Sequence, residues 1–411
     1  MIETTVHTMF VARVPPASAD DFIDEWNEAF SSKVREMPHL AVRSLHTIVG
    51  LCLGHVNVAY KGNRADLRDS SLIMQDSGTG KKPTIEFVEK IAAMLGYSYR
   101  RRSNITASGA IGTIRLRKDK SEEIEGDLKK YDLVTCAEAD SILYQKIDSY
   151  GNDLLTNICE SQDSENVISR RLAEGEVQPY TSRTSLFLTT TAPRALISPR
   201  WIEKGLFQRF GITIKEVPLD TYKSVRDELV DSVGESCSGN DKAIEELAKE
   251  LRRKRAAIPN PNFAFSKEVK ETFKERGYSL DKMLEDMNNR IILDMTKSFT
   301  IRRDLKTITY ACHHAWLDNR QELTSADTEY GFSVSQQSWN DVLNFVGRKT
   351  SKVVSCGEAI TQLLKDGKVR ATADFYQELG AKFHKGNVRY HLSQLATKEA
   401  IHRIAKDQYT L

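Results

Sequence analysis

Hydrophobic spacing divides the chain into stretches of different texture. Ser18 stands as an N-cap ahead of Phe22, Trp26 and Phe30 at i, i+4, i+8 spacing, which predicts an amphipathic helix with its aromatic stripe against a core. The first seventy residues are expected to be helical, and residues 1–69 form a helical N-terminal segment in this reading. From Ser70 to about Gly211, short β-type runs take over: Ser71-Leu72-Ile73-Met74, Asp132 to Thr135 and Thr184 to Thr191, with helical patterns between them. Strands alternating with helices predict an α/β core, residues 70–217, built on a parallel sheet that binds ligands at the carboxyl ends of its strands.

Residues 218–346 turn helical and charged, with Glu245 to Arg255 as a solvated helix face. Gly347-Arg348-Lys349 then reads as a short basic linker ahead of a module at 353–411. That module is expected to hold three short helices, near Glu358 to Lys365, Ala373 to Leu379 and Lys385 to Leu395, and a terminal hairpin from Ile401 to Leu411. The order matches a winged helix, a helix-turn-helix variant.

Charge changes the picture by exclusion. With 59 basic against 57 acidic side chains in 411 residues, the formal charge of +2 leaves no bulk attraction for nucleic acid. Phosphate contact must come from local patches. The six cysteines form no CxxC and no zinc-type cluster with the histidines, which suits a reduced, intracellular, cytoplasmic setting. His313 and His314, adjacent on one helix, read as ordinary helix residues, and Cys136 and Cys312 as buried apolar ones. No signal peptide or membrane span is expected, since the apolar stretch Leu45 to Tyr60 is broken by His46, Gly50, Gly54, His55 and Asn57.

The most informative chemistry lies at Gln75-Asp76-Ser77-Gly78-Thr79-Gly80-Lys81-Lys82-Pro83-Thr84, between an apolar strand and a helical pattern carrying Ile85, Val88, Ile91 and Leu95. A strand, a glycine loop, a lysine and a helix N-terminus are the mechanical unit that cradles a triphosphate. Ser77, Gly78, Thr79, Gly80, Lys81 and Lys82 are therefore the expected nucleotide-binding residues, with Lys81 on the outer phosphates. Two positions depart from GxxxxGK[ST]: Gln75 replaces the first glycine, and Lys82 replaces the hydroxyl that holds magnesium. Thr84 substitutes for that hydroxyl only if Pro83 distorts the turn. Binding is better supported than hydrolysis.

A second apolar strand, Asp132 to Thr135, ends in Cys136-Ala137-Glu138-Ala139-Asp140. Such a strand is expected beside the phosphate loop, with Glu138 activating water and Asp140 partly replacing the metal-ordering carboxylate that Ala137 lacks. Downstream, Arg170-Arg171 to Gln178 reads as a hairpin around Gly175, and Gly205-Leu206-Phe207-Gln208-Arg209-Phe210 sets an arginine among apolar residues.

In this order and spacing these elements resemble the AAA+ ATPase core, most closely that of the minichromosome-maintenance (MCM) helicases and their shorter viral and plasmid relatives. The resemblance covers about Ser70 to Phe332 and, as a winged helix, the C-terminal module. It implies an α/β AAA+ P-loop core with a helical lid and a C-terminal winged helix, using ATP and Mg2+. It also implies that Thr190 or Thr191 acts as a polar phosphate sensor, Arg209 as a finger completing a neighbour's site, and Arg302 or Arg303 as a lid arginine. Arg170 and Arg171 would touch single-stranded DNA in a pore, Lys385 and Arg389 would touch duplex at the winged helix, and the chain would form a homo-hexamer working with a primase or polymerase. Lys382, His384 and His391 join the basic cluster around that last helix. Two alternatives stand beside the DNA helicase: a nucleotide-switched initiator or loader that hardly turns ATP over, and a protein-remodelling ATPase.

Overall fold

The computed structural model describes residues 18–410 apart from 35–36, 55, 61–62, 118–119, 145–152, 164–165, 173–174, 192–200, 202–203, most of 218–237, 286–299, 365–367, 380–384, 398–400 and 406. The chain enters on α1 (Ala19–Val34) and α2 (Pro38–Leu53), followed by a small antiparallel pair, β1 (Asn57–Tyr60) and β2 (Asn63–Asp66). Ser18 accepts from the Asp21 amide at 3.2 Å, and Phe22, Trp26 and Phe30 are fully buried, as the spacing predicts. This antiparallel pair corrects the all-helical expectation for the segment: Asn57-Val58-Ala59-Tyr60 is a β-type run whose residues pair with 63–66, Tyr60 opposite Asn63.

The core follows as β3 (Ser71–Gln75), α3 (Lys81–Met94), β4 (Tyr99–Arg102), α4 (Ala107–Ala110), β5 (Gly112–Arg117), β6 (Lys120–Glu125), α5 (Asp127–Lys130), β7 (Leu133–Cys136), α6 (Asp140–Tyr144), α7 (Leu154–Glu160), β8 (Val167–Leu172), β9 (Gly175–Thr181), β10 (Ser185–Thr190), α8 (Leu206–Arg209) and β11 (Gly211–Lys215). Five strands make one parallel sheet in the order β11-β3-β10-β7-β4. The central strands β3, β10 and β7 are buried on both faces, so their apolar residues alternate between two cores, whereas the edge strand β4 is largely exposed. Ile73, Leu133 and Phe187 join α1, α2 and α3 on one side, whereas Leu72, Val134, Leu186, Leu188 and Ile212 pack on the other with Ile158 and Trp201. The order places β10 between the loop strand β3 and the acidic strand β7. Two antiparallel hairpins, β5–β6 and β8–β9, are inserted ahead of β7 and β10 and pack on each other.

Beyond the sheet come α9 (Ser238–Ala257), α10 (Lys267–Glu285), α11 (Thr300–Leu317) and α12 (Ser325–Leu364). The charged helix α9 is solvated along one face, but Ile244, Leu247 and Leu251 enter the core, and buried Lys254 donates to the Leu317 carbonyl at the end of α11. Helix α12 runs unbroken through Gly347-Arg348-Lys349, where the sequence predicts a linker, and the 346/353 boundary falls inside it. Arginine and lysine are good helix formers, and one interior glycine costs only about 1 kcal/mol. Anchoring at both ends outweighs that cost, through Trp339 and Val342 in one core and Cys356, Ile360 and Leu364 in another.

The last turns of α12 join α13 (Thr372–Leu379) and α14 (Lys385–Thr397) around Phe375, Val388 and Leu392. A three-stranded antiparallel sheet, β12 (Arg370–Ala371), β13 (His402–Ala405) and β14 (Gln408–Thr410) in the order β12-β14-β13, completes this module. The terminal hairpin is present as expected; the two-residue strand β12 is an addition.

A buried polar chain ties α2, α11 and α12 to the segment before β3. His313 Nε2 lies 2.7 Å from the Leu67 carbonyl, which only accepts, so Nε2 carries the proton and Nδ1 accepts. His46 Nδ1 then donates to His313 Nδ1 at 3.0 Å, and His46 Nε2 accepts from the Tyr330 hydroxyl at 3.1 Å. Both rings are neutral in this arrangement. Next to them, Asp327 accepts from His314, Arg320 and Thr324. Cys136 and Cys312 are buried free thiols.

Candidate functional site

The loop from Asp76 to Gly80 leaves the carboxyl end of β3 and runs into the N-terminus of α3, which has no side-chain cap. Gly78 and Gly80 hold φ of 78° and 87°, in the left-handed region where a side chain is strained. A Cβ on Gly78 would meet nothing, because the loop is open there, whereas one on Gly80 would sit 3.2 Å from Val34 Cγ1 and 3.5 Å from Met37 Sδ. Gln75 is still within β3, paired with Lys215, so its extended backbone needs no glycine. Ser77, Gly78 and Lys82 are exposed, while Thr79 is buried and its hydroxyl donates to the Asp76 carbonyl at 2.5 Å.

Lys81 is half-buried. Its Nζ donates to the Gln75 carbonyl at 2.5 Å and to the Thr190 carbonyl at 2.9 Å, so the amine bridges the ends of β3 and β10. Burial pulls its pKa down, opposed by the nearby carboxylates of Asp140, Asp76 and Glu138. The Thr190 hydroxyl in turn donates to Asp140 Oδ1 at 2.6 Å, and Thr189 stitches the acidic turn through the Ala137 carbonyl and the Ala139 amide at 2.8 and 2.9 Å. Lys81, Thr190, Asp140 and Glu138 are thus gathered at one sheet edge although they come from three strand ends far apart in sequence. Thr191 is exposed at the strand end.

Uncapped amides, glycines in left-handed conformation and an amine suit a bound phosphate chain. The set suits protein-held magnesium less well. Lys82 has no hydroxyl, and Thr84, buried, donates its own to the Gly80 carbonyl at 2.8 Å, so it does not fill that place. Among the described residues no group of three or more His, Cys, Asp or Glu side chains is arranged to hold a metal ion. Asp140, Glu138 and Asp76 are the carboxylates available near Lys81.

The two arginines of the resemblance lie elsewhere. Arg209, at the end of α8, is folded back onto its own chain: Nε and Nη2 donate to Asp163 Oδ2 at 3.0 and 2.9 Å, and Nη1 to the Lys204 carbonyl at 3.1 Å. A Cβ on Gly205, with φ of 72°, would come within 2.3 Å of Arg209 Nη1, so this pose requires glycine there. Arg303 is 5% exposed and bonded to Asp304. It lines a small, half-open pocket with Phe207, Phe210, Lys306, Tyr310 and Trp339. One turn on, Lys306 reaches Asp69, just ahead of β3, at 2.6 Å, which puts this part of α11 at the amino edge of the sheet, opposite Lys81 of the same chain. The side chain of Arg302 lies outside the described set.

The expected hairpin exists as β8–β9, with Arg171 opposite Glu176 and Leu172 opposite Gly175; the tip at 173–174 and the Arg171 side chain lie outside the described set. Arg170 is not displayed to solvent as a free cation: its Nη1 donates to the Gly112 carbonyl at 3.0 Å, fastening the two hairpins together. The companion hairpin β5–β6 escapes the sequence reading, although alternation over Thr113-Ile114-Arg115-Leu116 is the signal for it; Arg115 on it is exposed. In the C-terminal module Lys385 and Arg389 are exposed on α14, with Lys385 Nζ 5.8 Å from the Tyr376 ring, and Tyr390, Arg403 and Ile404 share that exposure. His391 turns inward instead, and Lys382 and His384 lie outside the described residues.

A scan of protein-family models matches none to this chain, and a search of curated proteins finds no match.

Proposed function

We propose that this chain is an AAA+ ATPase of MCM-like type that binds ATP and acts on DNA as a ring of identical subunits. The observation that carries the reading is Thr190: its carbonyl takes the Lys81 amine and its hydroxyl holds Asp140, on a strand inserted between the loop strand and the acidic strand. A lysine, a polar strand end and a carboxylate turn sharing one sheet edge are what phosphoryl transfer to water needs in order to hold a terminal phosphate and place a nucleophile beside it.

In this reading the loop amides and Lys81 bind the β- and γ-phosphates, and the amine exchanges its carbonyl partners for phosphate oxygens. Asp140 would be the residue to order a magnesium ion carried in with the nucleotide, which would supply neutralisation of charge on those oxygens. Glu138, exposed at the edge, orients water for attack, and Thr190 senses the terminal phosphate. Arg209 serves a neighbouring copy after exchanging Asp163 for phosphate. DNA contact falls to the paired hairpins and to the winged-helix face carrying Lys385, Arg389, Tyr390 and Arg403. Positive charge there favours salt-dependent backbone binding.

One observation favours a second reading, a nucleotide-switched loader with slow turnover: neither Lys82 nor Thr84 offers a hydroxyl to magnesium, and Ala137 offers no carboxylate. A magnesium-dependent ATPase assay with and without single-stranded DNA, on wild type and Glu138→Gln, separates the two. DNA-stimulated turnover lost in the variant supports the motor; nucleotide binding without turnover supports the switch; absence of Lys81-dependent binding refutes both.

A further inference from the structure

We propose that His39 and Gln75 form a positioning pair that shapes the phosphate loop from outside it, making the N-terminal helices a working part of the nucleotide site; its consequence for affinity rests on the ATP-binding reading above. Gln75 occupies the place of a loop glycine yet is fully buried, and its amide is used at both ends. Nε2 donates to the Thr79 carbonyl at 2.8 Å, and Oε1 lies 2.7 Å from His39 Nε2. Since the amide nitrogen is the donor to Thr79, Oε1 accepts, and His39 Nε2–H is the donor.

The loop is thereby closed by side chains. Gln75 spans from strand end to Thr79, and the Thr79 hydroxyl returns to the Asp76 carbonyl. On its outer side, Asp76 Oδ2 accepts from the Val217 amide at 3.0 Å. The joint between α1 and α2 backs this up, because Val34 and Met37 fill the space in which a Gly80 side chain would stand, and Met37 Sδ lies 3.6 Å from Gln75 Nε2. A loop with a glycine at position 75 would lose both the bridge to the Thr79 carbonyl and the link to α2. Here a residue from α2 sets which way the Thr79 carbonyl points, and hence where the neighbouring amides face. His39 touches no expected phosphate position; it acts through Gln75.

The test uses the full chain and two readouts: ATP affinity, and hydrogen exchange across residues 76–84 without nucleotide. The variants are His39→Ala, His39→Gln, which keeps a neutral N–H donor of similar reach, and Gln75→Met, which keeps volume and removes both bonds. His39→Ala is expected to bind ATP about tenfold more weakly and to exchange about tenfold faster in this segment, the factor for one lost buried hydrogen bond; Gln75→Met, which loses two, is expected to show a larger effect, up to about a hundredfold; and His39→Gln is expected to stay close to wild type in both. Unchanged exchange and affinity in His39→Ala, or failure of His39→Gln to restore them, overturns the proposal. If wild type binds no ATP while exchange still responds as described, the nucleotide reading fails and the positioning pair stands.

Discussion

Acid should unfold this protein through the His46–His313 pair before its carboxylates respond, and the size of the effect follows from the burial of those rings. His313 is fully buried with its pKa pushed down to about 4, chiefly by burial, from an ordinary value of 6.5. His46, also fully buried, is lowered by burial and by the neighbouring His313, Arg43, His314 and Lys306. A group whose folded pKa is depressed binds its proton more readily when unfolded. The associated stability is therefore complete above about pH 6.5 and is lost as pH falls toward 4. For His313 alone the difference corresponds to about 3 kcal/mol. Protonation also reverses one direction of the chain, since a charged His313 donates from Nδ1 toward a ring nitrogen that is itself a donor. Denaturant unfolding of wild type and His313→Gln between pH 7.5 and 4.5 measures the effect. The variant is expected to be less stable at pH 7.5 by about 1–3 kcal/mol, the cost of disturbing a buried hydrogen-bonded site, and to have a flatter pH dependence. Burial also lowers the pKa of His39 and of His391, so the difference between the two slopes is the informative quantity. Parallel slopes would show that His313 does not contribute to the acid sensitivity.

Two further outcomes follow from single positions. Replacing Asp327 by Ala leaves Arg320, His314 and the Thr324 amide without their shared acceptor and should cost about 3 kcal/mol, read as a lower unfolding midpoint at neutral pH. Its carboxyl is held well below the usual carboxylate range by His314, Arg320 and Thr324 despite burial, so that contribution persists through pH 5 and fades only in stronger acid. Gly80→Ala places a Cβ at φ of 87° and 3.2 Å from Val34; it should destabilise the fold by about 1–2 kcal/mol in a thermal melt and weaken ATP binding more than Gly78→Ala, whose Cβ meets open space.

Local chemistry was legible in the sequence, and long-range pairing was not. The loop, the strands at Ser71, Asp132 and Thr184, the aromatic stripe of the first helix and the hairpin around Gly175 each write their signal within a few residues. The order of strands does not, because it depends on which strands pair across a hundred residues; the insertion of β10 beside Lys81 is visible only in the sheet. Gly347 looked like a break because local propensity was read without the anchoring of both helix ends. Arg170 looked like a free cation because its partner, the Gly112 carbonyl, belongs to a hairpin that the sequence reading missed. The resemblance makes Arg302 or Arg303 a lid arginine, whereas Lys306 and Asp69 fix their helix at the edge of the sheet opposite Lys81. The His39 contact to Gln75 needed two segments brought together that share no motif.

Whether Lys81 and its loop bind the phosphates of ATP is measured by titration calorimetry of the full chain with ATP. Wild type is expected to bind one ATP per chain, and Lys81→Ala to bind about a hundredfold more weakly, the loss of a charge-assisted contact at a shared site, with its far-ultraviolet spectrum unchanged. Equal ATP affinity in the two chains would show that Lys81 does not bind the phosphates.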